Sequence, residues 1–170
     1  MLGVRFMIIR HGKAVRRGTV GVEDDERPLT REGERRFAEV AAGLARICDP
    51  PDVLLSSPLP RALRTAELAA EAWGGVGIQQ LPALATGDMA AIAGAVASHR
   101  NGSTVAVVGH RTCLLELIVH AIGAVTSEAF DFKKGGVALL DLPAGLSESG
   151  GRLLWFVTPK VLRMLARTKC

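Results

Sequence analysis

The chain alternates short, wholly apolar runs with longer stretches in which apolar positions recur at helical spacing. Phe6–Ile9 is an apolar run that empties abruptly into Arg10, His11 and Gly12, which predicts a buried strand ending in a polar turn. Val53–Ser56 and Thr104–Val108 repeat the design, the first ending in Ser56-Ser57-Pro58 and the second in Gly109-His110, and Ile78–Leu81 predicts a short strand between them. Helical spacing predicts a helix from Arg31 to about Ile47, capped by Thr30 and stopped by Pro50 and Pro51, with Phe37, Val40, Ala41, Leu44 and Ile47 along one side. Pro60 suits a first turn, so Arg61–Trp73 follows as a helix that places Arg61 close to the sheet edge carrying His11. Asp88 opens an alanine-rich helix to about His99, Asn101-Gly102 turns the chain, and Thr112 is the expected cap of a helix over Leu114–Ile122. Val137–Leu142 and Leu153–Val157 read as an antiparallel hairpin around a glycine- and serine-rich turn at 145–151, and Pro159 starts a final basic helix with Lys160, Arg163 and Arg167. Lys13–Leu29 reads as a long loop, with Lys13, Arg16, Arg17 and Arg27 beside the acidic cluster at 23–26. Loops of that length inside compact domains are usually functional or disordered.

Strands alternating with helices predict an α/β fold: a three-layer sandwich with a mostly parallel central sheet, an antiparallel edge and helices on both faces, as one domain over residues 1–170. Right-handed crossovers then bring the carboxyl ends of the parallel strands to one side of the sheet, where ligands bind in open α/β folds. Arg10 and His11, Ser57 with Arg61, and His110 should therefore converge. Two histidines and two arginines suit a phosphoryl group, because the guanidinium fork matches its oxygens and neutralises charge that develops in transfer.

Composition narrows the chemistry further. The 170 residues are 48% hydrophobic and 22% charged, as in folded globular proteins, and the net charge of +4 points to an anionic partner. Aromatics are only 4% and tyrosine is absent, so little is available to stack on bases, and phosphate fits better than nucleic acid. Cys48, Cys113 and Cys170 are odd in number and widely spaced, which argues against a disulfide framework or zinc and for a cytoplasmic location. The N-terminal apolar run meets Arg10 too early for a signal peptide, and 113–125 is too short and too interrupted to span a bilayer, so no membrane association is expected. A monomer is favoured. No cysteine precedes an arginine by six positions, and there is no GxxxxGK[ST] loop, no GxSxG, no GxGxxG and no acidic pair spaced for two metals. What remains is phosphoryl chemistry without metal or cofactor, in which a neutral imidazole accepts the phosphoryl group and a second, as imidazolium, donates a hydrogen bond.

RHGKA at 10–14, RPLT at 27–30 followed by Gly33, LLSSPLPRALRTAE at 54–67 and GH at 109–110 resemble the histidine phosphatase superfamily, which includes the phosphoglycerate mutases. The short length, the RPLT element and the ending WFVTPKVLRM make the chain most similar to the SixA-type phosphohistidine phosphatases. The resemblance implies His11 as phosphate-accepting nucleophile, His110 as the second histidine, Arg10 and Arg61 as phosphate ligands, and Arg27 as an additional one. Gly12 and Ser57 fall in the substrate-binding motifs, although Ser57 also reads as a turn residue and Arg27 as a partner for the carboxylates at 23–26. Lys13, where a carboxylate is frequent, and Arg111 after GH depart from the pattern and bear on substrate preference. A carboxylate general acid in metabolite phosphatases of this type is expected between the RAxxT helix and the GH strand, where Asp88 is either that acid or simply a helix cap. The activity expected is a phosphatase acting through phosphohistidine, on a phosphohistidine-bearing protein. The alternatives are a phosphatase or mutase of small phosphate esters and a phosphoprotein-binding module without turnover.

Overall fold

A computed structural model describes residues 3–99, 102–124, 126, 128, 130–146 and 150–168. Six strands form one sheet: β1 (Val4–Arg10), β2 (Val53–Ser56), β3 (Ile78–Gln80), β4 (Thr104–Gly109), β5 (Val137–Leu142) and β6 (Arg152–Val157). Their order is β3-β2-β4-β1-β5-β6. The first four run parallel, β5 is antiparallel to β1, and β6 is antiparallel to β5. β5 alone is reversed, so β6 ends at the same edge of the sheet as β1.

The continuous apolar runs are explained by cover on both faces. Along β1, Phe6 and Ile8 join one buried cluster while Met7 and Ile9 join the other, as alternation across a pleated strand requires. The first cluster holds α3 (Ala83–Thr86), α4 (Met89–Ala97) and α5 (Arg111–Ile122); the second holds α1 (Arg31–Ala45), α2 (Pro60–Ala72) and α6 (Pro159–Arg167). The three-layer α/β fold expected from the sequence is thus present.

Several local expectations are corrected. α1 ends at Ala45, and Ile47, expected on its apolar face, is 44% exposed. α5 begins at Arg111 with His110 at its N-cap, so Thr112 lies in the first turn and is not the cap. The helix opens early because His110 already leaves the strand with extended backbone, and its carbonyl accepts the Leu114 N–H at 3.0 Å. α3 has no counterpart in the sequence reading, since a single turn shows no periodicity. Asn101, residues 147–149 of the expected hairpin turn, Val125 and Cys170 lie outside the described residues.

α6 packs on α1 through a backbone contact. A Cβ built on Gly43 would stand 1.9 Å from the Leu162 carbonyl oxygen. Around it, Glu39 accepts from Arg163 at 2.8 Å and Arg167 at 2.9 Å, and Arg46 caps the last turn through the carbonyls of Leu165 and Ala166. The basic helix is therefore neutralised on the side that meets α1. Gly43→Ala is expected to destabilise the fold by about 1–3 kcal/mol, the range for overpacking a tight interface, read as a lower midpoint in urea with unchanged m-value.

Candidate active site

The site forms where the winding of the sheet reverses. β1 leads into α1 on one face and its neighbour β4 leads into α5 on the other, leaving a crevice beyond their paired carboxyl ends. The register sets Arg10 opposite Gly109, and the His11 N–H donates to the Gly109 carbonyl at 3.1 Å. This brings the His11 and His110 rings to 5.3 Å between centroids. A cavity of about 310 Å³ is lined by both rings and by Arg10, Arg27 and Arg61, with Arg16, Arg17, Arg111 and Lys134 around it. Four of the side chains expected to converge from separate strands do converge, and Arg27 joins them.

Backbone and hydroxyl groups orient the rings. His11 Nδ1–H donates to its neighbour's carbonyl, Gly12 O, at 2.7 Å, which leaves the lone pair on Nε2. Gly12 acts through its main chain: its N–H donates to Thr65 Oγ1 at 3.0 Å, and Thr65 in turn donates to the Arg61 carbonyl at 2.7 Å. Thr65, fully buried, thus links the His11–Gly12 turn to the helix that carries Arg61. Ser57, also fully buried, accepts the Leu59 N–H at 3.3 Å, and its hydroxyl lies 2.8 Å from His110 Nε2. With the hydroxyl donating to Nε2, the His110 proton sits on Nδ1, which is buried and has no partner among the described residues.

Burial decides the charge states. His11 is pushed down to about 3, chiefly by desolvation and then, after the opposing Gly12 bond, by His110, Arg61 and Arg10. Burial and then Arg61 push His110 down to about 4. Both rings are neutral at pH 7, so the second histidine is not the imidazolium expected from the sequence. In the tautomer with the Ser57 hydroxyl donating to Nε2, neutral His110 still carries one N–H donor, at Nδ1. The positive charge comes from the arginines, whose affinity for protons is lowered by desolvation first in both Arg10 and Arg61. Arg10 donates through Nη1 to the Phe132 carbonyl and Arg61 through Nη1 to the Asp24 carbonyl at 2.8 Å, while the buried Nε of each has no partner among the described residues. Nε donors buried beside a nucleophilic nitrogen are suited to the oxygens of a phosphoryl group.

Asp24 holds the loop over this cavity. Its Oδ1 accepts from Arg27 Nε at 2.9 Å and Arg17 Nε at 2.8 Å, its Oδ2 from Arg17 at 3.1 Å, and its carbonyl from Arg61. The hydrogen bond from Arg17 lowers its pKa to about 2. Arg27 therefore does pair with the 23–26 cluster, through Asp24, while it is 9% exposed and lines the cavity. The base of the loop is closed by a bridge between Ala14 and Leu29 and by the Thr30 N–H to the Lys13 carbonyl at 2.9 Å.

Asp88 stands apart. Its carboxylate accepts the Ala91 N–H at 3.0 Å as the N-cap of α4, it is exposed, and it lines neither the arginine-lined cavity nor the depression beside it. That depression, across Arg61 and His110, is lined by Asp25 and Glu116. Among the described residues no group of three His, Cys, Asp or Glu side chains could hold a metal ion, and no helix is long and apolar enough to cross a membrane. Thr65, Asp24 and Lys134 were not singled out as site residues in the sequence reading. Thr65 was within reach as the last position of SSPxxRAxxT, whereas Asp24 and Lys134 lie in irregular segments with no periodicity to mark them.

The sequence model of the histidine phosphatase superfamily (branch 1) matches residues 6–95. A search of the curated proteins finds no match. Among solved structures, the chain is similar to the putative phosphohistidine phosphatase SixA from Agrobacterium tumefaciens, with 24% identity, TM-score 0.75, and 91% of this chain and 98% of that one covered. A protein histidine phosphatase SixA complexed with tungstate shares 22% identity, TM-score 0.75, covering 93% and 99%. A phosphoserine phosphatase from Entamoeba histolytica, in complex with 3-phosphoglyceric acid, shares 17% identity, TM-score 0.71, covering 91% and 97%.

Two outcomes follow from the charge states and the loop. In an NMR titration, the ring resonances of His11 and His110 should stay at their neutral positions from pH 8 to 5; movement with a midpoint near 6.5 would show that burial does not hold them neutral. The unfolded chain binds protons at these rings below about pH 6.5 while the folded one does so only toward 4 and 3, so stability should fall as pH drops through that window, and less steeply in His11→Gln. Asp24→Ala should lower kcat/KM by roughly ten-fold, the scale of one lost charged hydrogen bond, through a misplaced Arg27.

Proposed function

The chain belongs to the histidine phosphatase superfamily, and on that premise we propose that it is a phosphohistidine phosphatase, acting on a phosphohistidine-bearing protein through a phosphorylated His11. His11 Nε2 attacks phosphorus in line while the bond to the leaving imidazole nitrogen breaks, its electron pair staying on that nitrogen and the substrate ring leaving neutral because its other nitrogen carries a proton. The phosphoryl oxygens are held by Arg10, Arg61 and Arg27 and by His110 Nδ1–H. As Nε2 becomes phosphorylated the ring gains positive charge, and the Gly12 carbonyl bonded to Nδ1–H stabilises it. Water then attacks the same phosphorus, His11 leaves with its lone pair, and inorganic phosphate departs.

The observation that favours phosphohistidine is that, among the described residues, no carboxylate lines the arginine cavity. An alkoxide is strongly basic and needs a proton in the transition state, whereas imidazole leaves as a weak base with a conjugate acid near 6.5. A site built of arginines and neutral histidines suits the second. Hydrolysis of a small phosphate ester is the other reading, favoured by Asp25 and Glu116 in the adjoining depression, which shares Arg61 and His110 with the arginine cavity. The reaction is proposed to need no metal or cofactor, with a phosphorylated protein as partner, no nucleic acid or membrane, a monomeric state and a cytoplasmic setting in which free Cys48 and Cys113 stay reduced.

The test combines trapping with a substrate panel. Labelled phosphohistidine protein quenched in alkali should leave acid-labile, base-stable label on the enzyme, absent in His11→Ala, and EDTA should not reduce turnover. Across phosphohistidine, an aryl phosphate, phosphoserine and sugar phosphates, phosphohistidine should show the highest kcat/KM. Faster turnover of an alkyl phosphate would favour the ester reading, and binding of phosphoprotein without label or release would make the chain a binding module.

A further inference from the structure

Beside the arginine cavity, on the α1 side, lies a groove of about 380 Å³ that the proposed chemistry leaves unused. Its floor is apolar, made of Phe37, Val40 and Pro159. Gly135, at φ 78°, keeps it open: a Cβ there would stand 3.4 Å from Phe37. The rim is basic, with Lys13, Arg36, Lys134, Lys160 and Arg163 around it and no carboxylate in the lining among the described residues. Lys13 and Arg36 are tied by Glu32 and Arg163 by Glu39, whereas Lys134 and Lys160 form no ion pair with a described residue. Lys134 also lines the arginine cavity, so the two spaces are neighbours that share this side chain.

We infer that this groove docks the polypeptide segment flanking the phosphorylated residue of the substrate protein, taking an apolar side chain on its floor and carboxylates on Lys134 and Lys160. The inference rests on the phosphoprotein reading of the arginine cavity. Charge selects the occupant: a floor of carbon rimmed by cations with two lacking a partner complements an acidic segment with an apolar anchor. A phosphate ester of metabolite size is satisfied in the arginine cavity alone and would leave the groove unfilled. Phe37 is fully buried and lends the floor little face for stacking, which sets a nucleic acid aside.

Two synthetic phosphohistidine peptides of equal length test this, one with leucine and glutamates on both sides of the phosphorylated residue and one with serines there. The acidic-leucine peptide should have a kcat/KM roughly ten-fold higher, the scale of burying one such side chain. Exposed Lys160 is the variant of choice. Lys160→Glu should erase most of that advantage while leaving turnover of p-nitrophenyl phosphate and the melting temperature unchanged, and Lys160→Ala should erase part of it. Equal kcat/KM for the two peptides, or an advantage that survives Lys160→Glu intact, would overturn the docking role. If neither phosphohistidine peptide is turned over while the aryl phosphate is, the phosphohistidine reading fails separately. The matched phosphoserine pair then reads the groove by the same criterion, by turnover or by inhibition of aryl phosphate hydrolysis.

Discussion

A single backbone contact underlies the site: the His11 N–H donating to the Gly109 carbonyl at the end of the β1–β4 pairing. It extends the parallel ladder one residue beyond Arg10, at the point where the two chains part toward opposite faces. Because register in a sheet is fixed by the pattern of buried side chains, a slip of one residue would turn the whole of β1 inside out. The relative position of the histidines is therefore set by the packing of Phe6, Met7, Ile8 and Ile9 as much as by anything in the cavity.

Electrostatics at this point are organised by exclusion of water. Desolvation makes protonated imidazole costly, so the rings stay neutral and the arginines, which cannot give up their protons, carry the charge. Holding Arg17, Arg27 and Arg61 close together is unfavourable by itself. Asp24 offsets that repulsion with both its carboxylate and its carbonyl, and it does so from a loop whose ends are fastened at Ala14 and Leu29. The cavity that results is strongly cationic whatever the protonation of its histidines.

Much of this was legible in the sequence, for a physical reason. Strand ends leave signatures because an apolar run must stop where the chain meets water or a ligand, and Arg10-His11, Ser57 and His110 each mark such a stop. The layering followed from the same runs, which are too continuous for a sheet with one wet face. Asp24, Lys134 and the α3 turn were hidden because nothing periodic marks irregular backbone. The helix start at His110 was misplaced for a related cause: Thr112 has the chemistry of a cap, but the cap is set by where the strand ends.

The contact of Gly43 with the Leu162 carbonyl fixes how closely α6 approaches α1, and hence the width of the groove between Val40 and Pro159. That width is determined by main chain, not by the residues that line the rim. Lys160 stands on that rim and does not line the arginine cavity, so its exchange leaves the groove's width and the lining around the histidines in place. A scaffold of this kind lets the outer rim of a groove drift in sequence while the main chain that sets its width stays under unaltered constraint.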